Sequence, residues 1–160
     1  MDKYHLTKAD IDQFEGIGKT HFLNDNAKRT NKSLGDLTGI TGFGFHIIEV
    51  QPGRESTEFH RHYYEDECVY VLEGTAEARI GDKTVQVNAG DFLGYRAGGD
   101  AHSLRNNGDT VLKCIVVGER RDHDVGDYPD LNKRIYRNKG RPWNLVDIDV
   151  ISEPSGGRKV

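Results

Sequence analysis

Residues 59–74, FHRHYYEDECVYVLEG, decide how the chain is read. In the second half of this segment Glu67, Val69 and Val71 share one parity, and Cys68, Tyr70 and Leu72 share the other. A period of two is that of a β-strand, whose successive side chains point to opposite faces. The Val-bearing face is the one expected inside, which turns Glu67 inward and Asp66 outward and leaves Glu65 in a solvated turn. In the same extended chain His60 and His62 present both imidazoles to one side, with Tyr64 beyond them. Two histidines so spaced fit half of a metal site, and fit equally two strand histidines at the intermediate burial common for that residue.

The period of two continues on either side. FGFHIIEV (43–50), TAEARI (75–80), TVQV (84–87) and TVLKCIVVG (110–118) are rich in β-branched and aromatic residues. QPG (51–53), IGDK (80–83), NAGD (88–91) and NNGD (106–109) separate them as turns. Short strands with regular turn signals predict an antiparallel sandwich or barrel over residues 41–118. Residues 1–40 are expected to form an N-terminal arm with one short helix over residues 7–14, where Thr7 and Asp10 have the spacing of a capping box. Residues 119–160 mix charges with scattered Tyr, Trp and Ile, so they are expected to wrap the barrel or a partner subunit. Trp143 and the run LVDIDVI (145–151) are the expected anchors of that C-terminal arm.

Composition narrows the function. The 160 residues carry a net charge of −4 and no long basic run, which argues against nucleic acid and anionic membranes and for a small ligand. The opening MDKYHLTKAD lacks the apolar core of a signal peptide, and no window approaches a membrane span, so a cytoplasmic protein is expected. Cys68 and Cys114 lie within apolar strand patterns and read as reduced thiols.

A metal site needs more than His60 and His62. Downstream, His102 follows the glycine-rich GDFLGYRAGGDA and precedes another strand, from which it can return to the interior. Three neutral imidazoles and one carboxylate suit a divalent transition ion with open positions for water or substrate.

The spacing of these residues resembles the two motifs of the cupin superfamily. The first appears as Gly53, six residues, His60-Arg61-His62, four residues, Glu67, six residues and Gly74, one residue longer than the family pattern before the histidines. The second appears as Gly90, then Arg96 where proline is usual, Gly98, His102 after one added residue, and Asn106. The resemblance implies an all-β double-stranded β-helix, or jelly-roll barrel, with His60, His62, Glu67 and His102 holding one divalent Zn, Fe, Mn or Ni ion. It also implies a homodimer.

The barrel of this superfamily hosts many chemistries. A dioxygenase acting on a small oxygenated molecule stands first, ahead of a metal-dependent isomerase, epimerase or lyase and a non-catalytic ligand sensor. Tyr64 shares the parity of the two histidines and is the candidate proton-transfer residue, against a packing role at the barrel mouth. Tyr95 and Arg96 are candidate substrate contacts. His46 is expected to pack, while His5, His21 and His123 are expected to be solvated. Arg61 and Arg79 alternate away from the interior, which disfavours a phosphosugar pocket, since such a pocket wants an inward cationic fork.

Overall fold

The computed structural model describes residues 4–157. In chain order its elements begin with a short helix α1 (Lys8–Gln13), strands β1 (Ile17–His21) and β2 (Asn24–Ser33) and one helical turn α2 (Leu34–Leu37). Then come β3 (Phe43–Val50), β4 (Arg61–His62), β5 (Glu67–Glu73), β6 (Thr75–Ile80), β7 (Lys83–Asn88), β8 (Phe92–Tyr95), β9 (His102–Arg105) and β10 (Leu112–Glu119). Strands β11 (His123–Tyr128), β12 (Lys133–Asn138) and β13 (Asn144–Asp147) complete the set, with short 3-10 turns at Pro129–Leu131 and Ile148–Val150.

The strands form three antiparallel sheets. One has the order β1-β2-β3-β10-β5-β8, a second β7-β6-β9, and a third β13-β12-β11-β4. The first two enclose the core. Val50, Val69, Val71, Leu112 and Cys114 come from the six-stranded sheet, and Ala76, Ala78 and Leu104 from the three-stranded one. This is the jelly-roll architecture of a double-stranded β-helix. In β5 the alternation read from sequence is the alternation of burial, since Val69 and Val71 are buried while Tyr70 is exposed.

The turn chemistry holds the strands in register. Gly81 and Asp82 form the two-residue hairpin between β6 and β7, and Gly90 takes positive φ in the turn before β8. Asn106 is fully buried; its side-chain amide donates to the carbonyls of Val50 and Thr110, each at 2.8 Å, and its Oδ1 accepts from the Gly108 N–H at 3.0 Å. It fastens three chain segments at one barrel end, satisfying backbone groups that would otherwise be buried unpaired.

Both arms hold more strand than their sequences suggest. The capping box of α1 is present, with Thr7 Oγ1 accepting from the Asp10 N–H and the Asp10 carboxylate accepting from the Thr7 N–H. After it, however, β1 and β2 extend the six-stranded sheet. In the C-terminal arm β11, β12 and β13 join β4 in a sheet of their own. Trp143 is exposed rather than buried as an anchor, with Arg137 over its ring, and Tyr128 and Ile135 are the buried apolar side chains among the described residues of this arm. No helix among the described residues is long and apolar enough to cross a membrane.

Candidate metal centre

His60 and His102 face each other as a backbone pair: the His60 N–H donates to the His102 carbonyl at 3.1 Å, and the His102 N–H to the His60 carbonyl at 2.7 Å. The residue added ahead of His102 is absorbed by a turn at residues 96–99. There the Gly99 N–H donates to the Arg96 carbonyl, the Gly98 N–H to the His62 carbonyl and the Ala97 N–H to Asp66 Oδ1. His102 is therefore 4% exposed, with its ring centroid 4.7 Å from that of His60. Strand β4 carries His62, whose ring centroid is 4.9 Å from that of His60.

Glu67, at the start of β5, completes the cluster. One ligand-type atom from each of His60, His62 and Glu67 can be chosen so that all lie within 4.8 Å of one another, and Glu67 Oε1 stands 3.4 Å from His102 Nε2. His60 Nδ1 is 2.8 Å from the Glu58 carbonyl and His62 Nδ1 is 2.7 Å from Asp124 Oδ2. Both acceptors require a proton on Nδ1, which leaves each Nε2 free as a lone-pair donor. Neither ring nitrogen of His102 has a hydrogen-bond partner although both are buried. Buried unpaired nitrogens are costly, so this arrangement fits a bound cation: three imidazoles and a carboxylate suit a divalent transition ion.

The electrostatics agree. Burial and the neighbouring His102 hold His60 down at about 3, so its imidazole is neutral, as a ligand must be. Burial pushes the Glu67 carboxyl up, but His102, His60 and His62 outweigh it and bring it to about 2. Tyr95 stacks on His102 at 3.5 Å between ring centroids and 4° between planes, which fixes the imidazole's orientation. Burial pushes its phenol up, and its hydroxyl is itself without a hydrogen-bond partner.

His60, His62 and Glu67 line a cavity of about 470 Å³, within the roughly 300–1,000 Å³ typical of small-molecule sites. Tyr64 is not among its lining residues and is 54% exposed. The parity reading fails at this residue because β4 is only two residues long, so the alternation stops at His62. Arg96 is also exposed and outside the cavity. Tyr95 reaches the site through His102 rather than through the cavity wall.

Several residues of the site escape a reading confined to residues 41–118. Glu65 is 6% exposed rather than solvated; it accepts hydrogen bonds from Arg137 and from the Arg121 N–H. Arg137 also donates to Asp124 Oδ2 at 2.6 Å. Burial pushes the Asp124 carboxyl up, but the hydrogen bonds from His62 and Arg137 lower it to about 2. His62, Glu65 and Asp124 are also close enough to group around an ion, but Arg137 already neutralises the two acids, so the trio supports His62 instead. From the other arm, Lys19, His21 and Arg29 line the cavity. His21 is partly buried, and burial with the nearby Arg29 lowers it to about 4. A period-two signal was present in the C-terminal arm: Asp124, Gly126 and Tyr128 share a parity in β11, and all three are buried.

A jelly roll with four such side chains in the order and places of the two motifs defines the class. The model of the Cupin domain matches residues 46–118. A putative sugar phosphate isomerase from Acidithiobacillus ferrooxidans is 46% identical with a TM-score of 0.91, over 94% of this chain and 96% of that one. A sugar phosphate isomerase of the cupin superfamily from Silicibacter pomeroyi is 26% identical with a TM-score of 0.80, over 91% of this chain and 96% of that one. Among curated proteins, the tetracenomycin polyketide synthase protein TcmJ of Streptomyces glaucescens is 28% identical over 86 residues. That match covers 54% of this chain and 54% of TcmJ, so the chain spans about half the length of that relative. The chain belongs to the cupin superfamily.

Proposed function

We propose that the protein is a metal-dependent isomerase acting on a small phosphorylated sugar. The observation that carries the reading is the convergence of His60, His62, Glu67 and His102 beside the cavity, with both ring nitrogens of His102 buried without a hydrogen bond and its Nε2 3.4 Å from Glu67 Oε1. Two relatives that match nearly the whole chain are described as sugar phosphate isomerases, one of them putative, which favours this reaction over the dioxygenase expected first from sequence.

Bound by these four residues, a divalent ion supplies Lewis-acid polarisation of the adjacent carbonyl and hydroxyl oxygens of the substrate. The chain's own residues prepare that chemistry. Tyr95 and Asp124 orient two of the imidazoles through stacking and hydrogen bonding. His21 Nδ1 accepts from the Leu23 N–H at 3.1 Å, so the neutral ring carries its proton on Nε2 and presents a donor to a substrate hydroxyl. Tyr128, with its ring centroid 5.5 Å from that of His21 and 6.3 Å from that of His60, has its phenol pushed up to about 12 by burial and offers a second neutral donor.

Metal analysis of protein purified without chelator tests the site. About one divalent ion per chain is expected, lost in His60→Ala and Glu67→Ala. NMR of the metal-loaded protein with a panel of aldose and ketose phosphates tests the reaction. Interconversion of one pair is expected; a folded protein that takes up no ion, or one that takes it up and interconverts none, overturns the reading. Oxygen uptake without isomerisation would return the dioxygenase.

A further inference from the structure

The hairpin of β1 and β2 brings two cations to one place. Lys19 and Arg29 are direct cross-strand partners, which puts their Cβ atoms about 5 Å apart on one face. That face is turned to the cavity: both residues line it, and on β2 the neighbours of the same parity, Ala27 and Asn31, are buried. Like charges directly opposite one another destabilise a strand pair, so the arrangement requires a compensation.

No carboxylate forms an ion pair with either cation among the described residues; Glu67, across the cavity lining, acts on Arg29 only through its charge. The other arginines lining the cavity are already paired: Arg61 with Asp127, Arg120 with Asp36, and Arg137 with Glu65 and Asp124. Lys19 has no hydrogen-bond or ion-pair partner among the described residues, and Arg29 gives one N–H to the Ser56 carbonyl while the rest of its fork makes no hydrogen bond to the described residues. An ammonium and a planar guanidinium side by side match a group with several anionic oxygens, which a point charge and a fork can share.

We propose that Lys19 and Arg29 form the phosphoryl-binding subsite of the cavity, holding the substrate's phosphate while its carbonyl end reaches His60, His62 and Glu67. This rests on the isomerase reading for the identity of the substrate. The pair of cations and its like-charge opposition stand apart from that reading. The subsite also explains how the cavity acquires a cationic fork free of carboxylate pairing, since Arg61 within residues 41–118 is tied to Asp127: it comes from the N-terminal strands.

Inorganic phosphate is the probe, titrated by calorimetry into the full-length protein as purified, alongside Lys19→Gln and Arg29→Gln. Lys19 is exposed, so its replacement leaves the fold intact. Phosphate is expected to bind the parent protein, and Lys19→Gln to weaken it at least tenfold with metal content unchanged. In thermal melts without phosphate Lys19→Gln is expected to match or exceed the parent, because a like-charge opposition is relieved; phosphate is expected to raise the parent's melting temperature and not the variant's. Equal phosphate affinity in parent and Lys19→Gln overturns the subsite, and so does an adventitious ion only, meaning weak binding indifferent to both substitutions. If phosphate binding depends on Lys19 but no sugar phosphate is interconverted, the subsite stands and the isomerase reading falls.

Discussion

Asp124 Oδ2 takes the Nδ1–H of His62 at 2.7 Å, and Arg137 holds the same oxygen at 2.6 Å. Such a carboxylate fixes the tautomer of a metal ligand, and substitutions of this kind typically cost about 10–100-fold in metal affinity. Asp124→Asn is accordingly expected to weaken zinc binding by about that factor in competition with a chromophoric chelator; an unchanged affinity would show that His62 is positioned by its backbone alone. The contrast among the acids of residues 65–67 shows what one residue's neighbours in sequence can reveal. Glu67 is legible because its parity is that of Val69 and Val71 on the same strand. Glu65 is not, because the partner that makes its burial tolerable, Arg137, lies 72 residues further on. A buried acid is stable only when paired, and local pattern says nothing about so distant a pairing. Tyr64 fails for the complementary reason: its parity presumes a strand continuing past His62, whereas β4 ends there and the Tyr64 N–H donates to the side chain of Asp124 instead.

Among the elements, β5 and β10 were legible and β2 was not. The first two bury Val69, Val71, Leu112 and Cys114 against the opposite sheet, so their apolar alternation is visible. Strand β2, NDNAKRTNKS, has an inner face of Ala27, Arg29 and Asn31. It turns mainly polar side chains to the cavity, so its alternation carries no apolar mark and the sheet extension went unread. The turn from β5 to β6 rests on one residue. Gly74 has φ of +85°, and a Cβ there would lie 2.9 Å from the Val111 carbonyl oxygen and 3.0 Å from Leu112 Cα, neither of which is a flexible side-chain end. Strain of this kind costs on the order of 1–3 kcal/mol. Gly74→Ala should therefore lower unfolding stability by at least about that amount in urea titrations; a loss under about 0.5 kcal/mol would mean that the turn simply relaxes.

At the scale of the whole molecule, the period of two in residues 43–118 was enough for an antiparallel sandwich or barrel, and the resemblance of the two motifs narrowed it to the jelly roll, while the two arms that complete the cavity were not visible as such. Both arms contribute to the cavity through long-range contacts: the N-terminal one with Lys19, His21 and Arg29, and the C-terminal one with Tyr128, Ile135 and Arg137. The outer surface also carries an unspent apolar feature. Tyr70 and Phe92 are cross-strand partners on the exposed face of β5 and β8, at 42% and 64% exposure, and Trp143, Leu145 and Val150 are exposed in the C-terminal arm. A second copy of the chain would cover such surface. Light scattering at micromolar concentration is expected to give twice the 18.0 kDa chain mass; a strict monomer refutes the dimer.

The paired backbones of His60 and His102 divide the four metal-ligand candidates into two kinds. These two share one rung of a ladder, through reciprocal bonds of 3.1 and 2.7 Å, so the spacing of their backbones belongs to the sheet. His62 is held through its ring by Asp124, which leaves Glu67, a carboxylate on a longer side chain at the head of β5, as the member that can adjust. With an ion held there, the cluster would work as a caliper with one fixed jaw and one sliding jaw, and discrimination between ions of different radius would fall to the sliding one.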